Sequence, residues 1–184
     1  QELGGLVFAY LGPEPAPLLP SWDLLVMGNV VRDIGITEIP CNWLQCMENS
    51  VDPVHTEWLH GRLFEYVTER EGTPGYVSSL LKHHVKIGFD VFEHGIIKRR
   101  GRTGGSEEDD EWKLGHPILF PTILRVAWTF QIRTPIDDTH TWFLLHMANR
   151  MGVRLPKQER CAYFDVPGAN ADGTYITGTA HGQD

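Results

Sequence analysis

The feature that most constrains the fold is a change of hydrophobic period part way along the chain. Between Cys41 and Met47 the apolar residues Trp43, Leu44 and Met47 sit at helical spacing, after Pro40 as a start signal. Pro53 has no backbone donor and should break or kink this helix. A second helical piece is expected over Val54 to Leu59, ending at Gly61 as a C′ residue. From residue 84 the period becomes two. Val85, Ile87, Phe89 and Val91 alternate with His84, Lys86, Gly88 and Asp90, the mark of a half-buried strand. "EHG" turns it back into "IIKRR". Val126, Trp128, Phe130 and Ile132 alternate again, "TPIDDT" turns, and Thr141 to Met147 alternates back as a second hairpin. Antiparallel hairpins with helices to one side define an α+β domain.

The remaining stretches fill in around this frame. "GLVFAY", Gly5 to Tyr10, reads as a short strand stopped by "LGPEPAP", and residues 12 to 20 form a proline-rich surface loop. "GRTGGSEEDDE" has no apolar residue and reads as a solvated loop. Asp137 and Asp138 read as turn residues. With 184 residues and no internal linker, one domain spanning 1–184 is expected. The formal net charge of −8 argues against nucleic acid, which wants a basic face. No apolar run approaches the ~20 residues of a membrane span, so no membrane partner is expected. Cys41, Cys46 and Cys161 are odd in number and form no CxxC, which points to free thiols and a cytoplasmic location. Gln1 in place of Met suggests a piece of a longer protein.

The chemistry concentrates in "ENSVDPVHTEWLH", Glu48 to His60. Imidazoles suit iron, copper and zinc. On a regular helix at ~100° per residue, His55 and His60 would point ~140° apart. They can converge only across a π-bulge or a helix break, devices that often mark functional sites. The zinc-protease pattern H-E-x-x-H fails, because the string here is H-T-E-W-L-H. Asn49, Asp52 and His55 fall three apart and could share a helical face if Pro53 permits. Asp52 can orient a metal-bound imidazole through its ring N–H, cap the second helical piece, or do both.

The stretch "CNWLQCMENSVDPVHTEWLHG" resembles the iron-binding segment of the Rieske non-heme iron oxygenases, the aromatic-ring-hydroxylating and demethylating enzymes. It is most similar to their phthalate dioxygenase and vanillate demethylase branch. The family segment N-W-x-x-x-x-E-N-x-x-D-x-x-H-x-x-x-x-H is met by Asn42, Trp43, Glu48, Asn49, Asp52, His55 and His60. "GGLVFAYLGP", "WKLGHPILFPTILRV" and "TPIDDTHTWFLLHM" also look like this family, so the resemblance covers nearly the whole chain. It implies a helix-grip, START-like fold, a curved antiparallel sheet packed on helices around an apolar pocket. It further implies a mononuclear Fe(II) held by His55, His60 and Asp184, with open positions for dioxygen and substrate. Asp52 would link that iron to the electron-donating centre of a neighbouring subunit, and Asn49 would lie near the iron. His181, three before Asp184, is a lesser candidate.

The resemblance also implies a [2Fe–2S] Rieske cluster, a reductase or ferredoxin donor and a ring-shaped homotrimer. The cluster's C-x-H and C-x-x-H pairs are missing here, so the chain is expected to be the catalytic domain, truncated at both ends, without its upstream Rieske domain. The implied activity is hydroxylation, dihydroxylation or O-demethylation of an aromatic or other hydrophobic substrate with O2. Trp58, Phe64, Trp128 and Trp142 are candidate pocket walls, set against plain core packing. Two competing readings are a metal-free START-like module that binds hydrophobic ligands and a zinc hydrolase using the same three side chains.

Overall fold

A computed structural model describes residues 1–149, apart from 74, 76 and 77. These lie within one compact unit, Gln1–Val153. Its centre is a seven-stranded antiparallel sheet in the order β3-β9-β8-β7-β6-β5-β4. The strands are β3 (Val31–Ile39), β4 (His84–Phe92), β5 (Gly95–Arg102), β6 (His116–Leu119), β7 (Ile123–Val126), β8 (Thr129–Pro135) and β9 (Thr141–Asn149). A separate two-stranded hairpin, β1 (Glu2–Leu3) and β2 (Leu6–Val7), lies at the N-terminus. The α+β class expected from the period change is therefore the class observed. No helix among the described residues is long and apolar enough to cross a membrane.

Consecutive residues of a strand face opposite sides of the sheet, and this sends neighbours into two cores. On one side, Leu119, Phe130, Ile132 and Ala148 pack with Leu6 of β2 and with Leu24 and Leu25 of α1 (Asp23–Val26). On the other, Ile118 and Leu124 pack with Met47 of α2 (Trp43–Val51). Met47 is the apolar anchor that seats α2, and with it the segment that follows, on the sheet. His146 is fully buried on the first side, where its Nε2 lies 2.8 Å from the Gly4 carbonyl.

Several boundaries differ from expectation for identifiable reasons. "GLVFAY" holds a shorter strand than expected: Gly4 and Gly5 adopt positive φ and turn the chain, leaving Leu6–Val7 as β2, with Phe8 bonded back to Gln1. Val126 to Ile132 is two strands, because Val126 pairs with Thr129 and the chain turns at Ala127, whose φ is positive. Trp128 is thus a turn residue. The strand over residues 84–92 exists, but it is the sheet's edge. Val85, Ile87, Phe89 and Val91 are exposed, and the covered face is the other one, where His84, Gly88 and Phe92 are partly buried. "GRTGGSEEDDE" is not simply solvated. Its last residue, Glu111, lies in α5 (Asp110–Lys113) and pairs with Arg100 at 3.0 Å and Arg102 at 2.8 Å. Asp137 is the turn residue expected: its Oδ1 accepts from the Thr139 and His140 amides, each at 2.7 Å.

A candidate metal centre on a widened helical turn

The segment from Asn42 to Arg70 is one interrupted helix. Asn42 caps α2: its Oδ1 accepts from the Leu44 amide at 2.8 Å and its Nδ2 donates to the Asp138 carbonyl at 2.9 Å. The start signal is this cap and not Pro40. The helix stops at Val51, because Asp52 turns to extended backbone ahead of Pro53. Asp52 then caps the next piece, α3 (Val54–Glu57). Its carboxylate accepts from the Val54 amide at 2.7 Å and the His55 amide at 3.2 Å. The break takes Asn49, Asp52 and His55 off any single helical face. Asn49 stays on the exposed side of α2.

Past α3 the backbone widens into a π-helical turn, Trp58–Arg62, before resuming as α4 (Leu63–Arg70). The extra residue in this turn offsets the spacing of five. The rings of His55 and His60 meet edge to face with centroids 5.3 Å apart. Phe64, one turn on, places its ring 6.3 Å from that of His60. The helix does not end at Gly61. An added Cβ there would lie 2.8 Å from the Leu80 carbonyl oxygen, so the glycine serves close approach and not termination.

One property of the pair suits a metal ligand, the protonation state of His55. Burial pushes the His55 pKa down, and nearby His60 and Lys98 push the same way against Asp52, so the ring is neutral and its lone pair free to bind metal. His55 Nδ1 is buried and 3.4 Å from Asp52 Oδ2, but the angle does not make a hydrogen bond. That leaves a buried ring nitrogen without a hydrogen bond, facing a carboxylate. This carboxylate–imidazole pairing is how metal-bound histidines are usually oriented. The residues present therefore fit a late first-row divalent ion. Among the described residues no group of three His, Cys, Asp or Glu could hold such an ion. The expected third ligand, Asp184, lies outside the described residues, as do His181 and Cys161. Cys41 and Cys46 are free thiols; burial raises the pKa of Cys46, and neighbouring Cys41 adds to the shift.

The sequence reading missed the polar layer beneath this turn. Lys98, Arg100 and Arg102 alternate along β5, so all three point at the helix side, and all are buried. Lys98 Nζ donates to the Ser50 carbonyl at 2.6 Å, tying down the end of α2 next to the break. Burial, helped by Arg100, lowers its pKa to about 8. Arg100 reaches Thr56 Oγ1 at 3.2 Å. Glu57, which falls between the two histidines in sequence, is fully buried. It accepts from His83 Nδ1 at 2.7 Å, from the His84 amide at 2.8 Å and from His84 Nδ1 at 2.9 Å. Burial alone would raise its pKa, but the hydrogen bonds from His83 and His84 prevail and hold it at about 2. The available signal was basic residues at i, i+2 and i+4 on a strand, and a carboxylate set between two ligand-type histidines. The aromatic candidates divide as well. Phe64 sits at the site, while Trp58, Trp128 and Trp142 are about half exposed and wall no described core.

No family profile matches the chain. Curated relatives do. The chain is 34% identical, over its whole length, to the 5,5'-dehydrodivanillate O-demethylase oxygenase subunit of a Sphingobium species, of which it covers 42%. Over 78% of its length it is 36% identical to the phthalate 4,5-dioxygenase oxygenase subunit of Pseudomonas putida, covering 35% of that protein. Over 67% it is 39% identical to the phenoxybenzoate dioxygenase subunit alpha of Ectopseudomonas oleovorans, covering 31%. The chain thus spans less than half the length of these curated relatives.

Proposed function

The chain belongs to the oxygenase subunits of the Rieske non-heme iron family, and from that membership we propose that it is the part that holds the mononuclear iron and the substrate. One observation carries the reading. A π-helical turn brings His55 and His60 to ring centroids 5.3 Å apart, with the Asp52 carboxylate behind His55. An ordinary helix would separate them. His55 and His60 are two of the three ligands, and Asp184 is the third. The fold is of the helix-grip type, with substrate in an apolar pocket beside the ligands.

Iron(II), when bound, supplies the activation of dioxygen for hydroxylation, dihydroxylation or O-demethylation of an aromatic or other hydrophobic substrate. The chain's own residues do the rest. The neutral imidazole of His55 offers a lone pair, and the Asp52 carboxylate, 3.4 Å from Nδ1, stands where a small rotation of the ring lets it accept the N–H and select the tautomer. Asp52 is also the group through which an electron donor's hydrogen-bond path enters, and Asn49 sets access beside it. Electrons come from a Rieske [2Fe–2S] cluster outside these 184 residues, fed by a reductase or ferredoxin. The working assembly is a cytoplasmic homotrimer. The relatives reported are all oxygenase subunits, which favours this reading over a metal-free ligand carrier or a zinc hydrolase.

Anaerobic loading of the full chain with iron(II), followed by nitric oxide and EPR, tests the proposal. A high-spin ferrous-nitrosyl signal lost in His55→Ala, His60→Ala and Asp184→Ala is the expected result. Stoichiometric iron(II) retained by His55→Ala would overturn the ligand assignment.

A further inference from the structure

A π-helical turn is a poor local minimum and seldom survives without outside support. The turn at Trp58–Arg62 has two tertiary anchors, one at each end. At its N-terminal end Glu57 is clamped by His83 and His84 through three hydrogen bonds of 2.7–2.9 Å. At its C-terminal end Gly61 lies so close to Leu80 that a Cβ would meet the carbonyl oxygen at 2.8 Å and the carbonyl carbon at 3.0 Å. Both anchors land on the same short segment: the 3-10 turn Ser79–Leu81 and the start of β4. That segment is itself tied to the sheet, since Arg102 Nη1 donates to the Lys82 carbonyl at 3.2 Å. Glu57 is almost fully buried, and a buried carboxylate is tolerated only when its oxygens are satisfied. Hydrogen bonds to a charged group are the strong kind, so the clamp is a directional constraint and not mere packing.

We infer that Glu57, held by His83 and His84, is a positioning residue that imposes the π-turn and through it the convergence of His55 and His60. The segment 79–84 acts as a template pressed against the helix. Without the clamp, the turn can relax toward ordinary α-helix, and the two imidazoles swing apart. Both Glu57 carboxylate oxygens are engaged by His83 and His84, so its part is to position and not to ligate. The metal consequence rests on the proposed function above, but the effect on the turn does not.

The test therefore has a metal-free arm. In the full chain, hydrogen exchange of the amides over 58–66 should speed up at least tenfold in Glu57→Ala, while amides of β8 and β9 keep their rates. In the second arm, Glu57→Ala should lose about tenfold in iron(II) affinity, the scale seen when groups behind metal ligands are removed, and its ferrous-nitrosyl EPR line shape should change. Glu57→Gln, which retains one acceptor oxygen, should fall between. His83→Ala provides a variant safe for folding, because the His83 side chain is 65% exposed. It should show the same changes at a few-fold. If Glu57→Ala fails to fold, Glu57→Gln and His83→Ala decide. Exchange rates within twofold of wild type in all folded variants would overturn the inference. A wild-type chain without any histidine-dependent nitrosyl signal would instead overturn the metal reading and leave the first arm standing.

Discussion

Replacing Gly61 with alanine sets two effects of opposite sign against each other. In an open helix the change stabilises by about 1 kcal/mol, because glycine gives up more backbone freedom than alanine on folding. Here the new Cβ meets the Leu80 carbonyl oxygen at 2.8 Å, its carbonyl carbon at 3.0 Å and the Leu81 nitrogen at 3.3 Å. All three are backbone atoms of the segment that Arg102 ties to the sheet, so no rotamer change can relieve the contact. Overpacking of this kind costs about 1–3 kcal/mol. The net expectation is a loss of up to about 2 kcal/mol, a fall of up to roughly 8 °C in Tm for a chain of this size. Thermal unfolding followed by circular dichroism measures it. Gly28→Ala is the control: an added Cβ there meets nothing within 4 Å, and Tm should move by no more than about 1–2 °C. A rise in Tm for Gly61→Ala would refute the close approach and restore Gly61 to an ordinary helix position.

Asp52→Ala removes two bonds to the first amides of α3 and should cost about 1–2 kcal/mol, read as a lower urea midpoint with unchanged slope. For Glu57 the folded pKa, about 2, lies below the ordinary 4.5, so its contribution is fully present above pH 4.5 and is lost as pH falls toward 2. Acid titration of stability should show this loss in wild type and a shallower slope over that window in Glu57→Gln. Phe130→Ala empties a position only 1% exposed and should cost about 3–5 kcal/mol, leaving little folded protein at 37 °C.

Much of the fold was legible because its signals are local. Period-two runs around a polar turn, as at Thr129–Pro135 and Thr141–Asn149, mark strand pairs wherever they occur. Pro53 announced its break, and the cap of α3 was readable in Asp52. The turn at Ala127 was not readable, since an alanine at positive φ carries no turn signature. Nor was the exposure of Val85 and Val91: alternation shows a pleat, while position in the sheet decides whether anything covers it. Of the candidate site, the histidine pair and the need for a break or bulge between them could be read from a spacing of five. The seating of Glu57 against His83 and His84 could not, because these partners lie 26 and 27 residues away in sequence.

What the sequence determined by itself is therefore the two hairpins, the helix break and the spacing of the two imidazoles. These depend on neighbours within a few residues, where proline, the caps and hydrophobic period act directly. What only the tertiary structure decided is that the turn between His55 and His60 is wide. A π-turn is disfavoured locally, and here it is held by Glu57 on His83 and His84, 26 and 27 residues downstream, and by Gly61 against Leu80. The conformation that brings the two rings together is thus imposed from the edge of the sheet, across a distance in sequence that no local pattern spans.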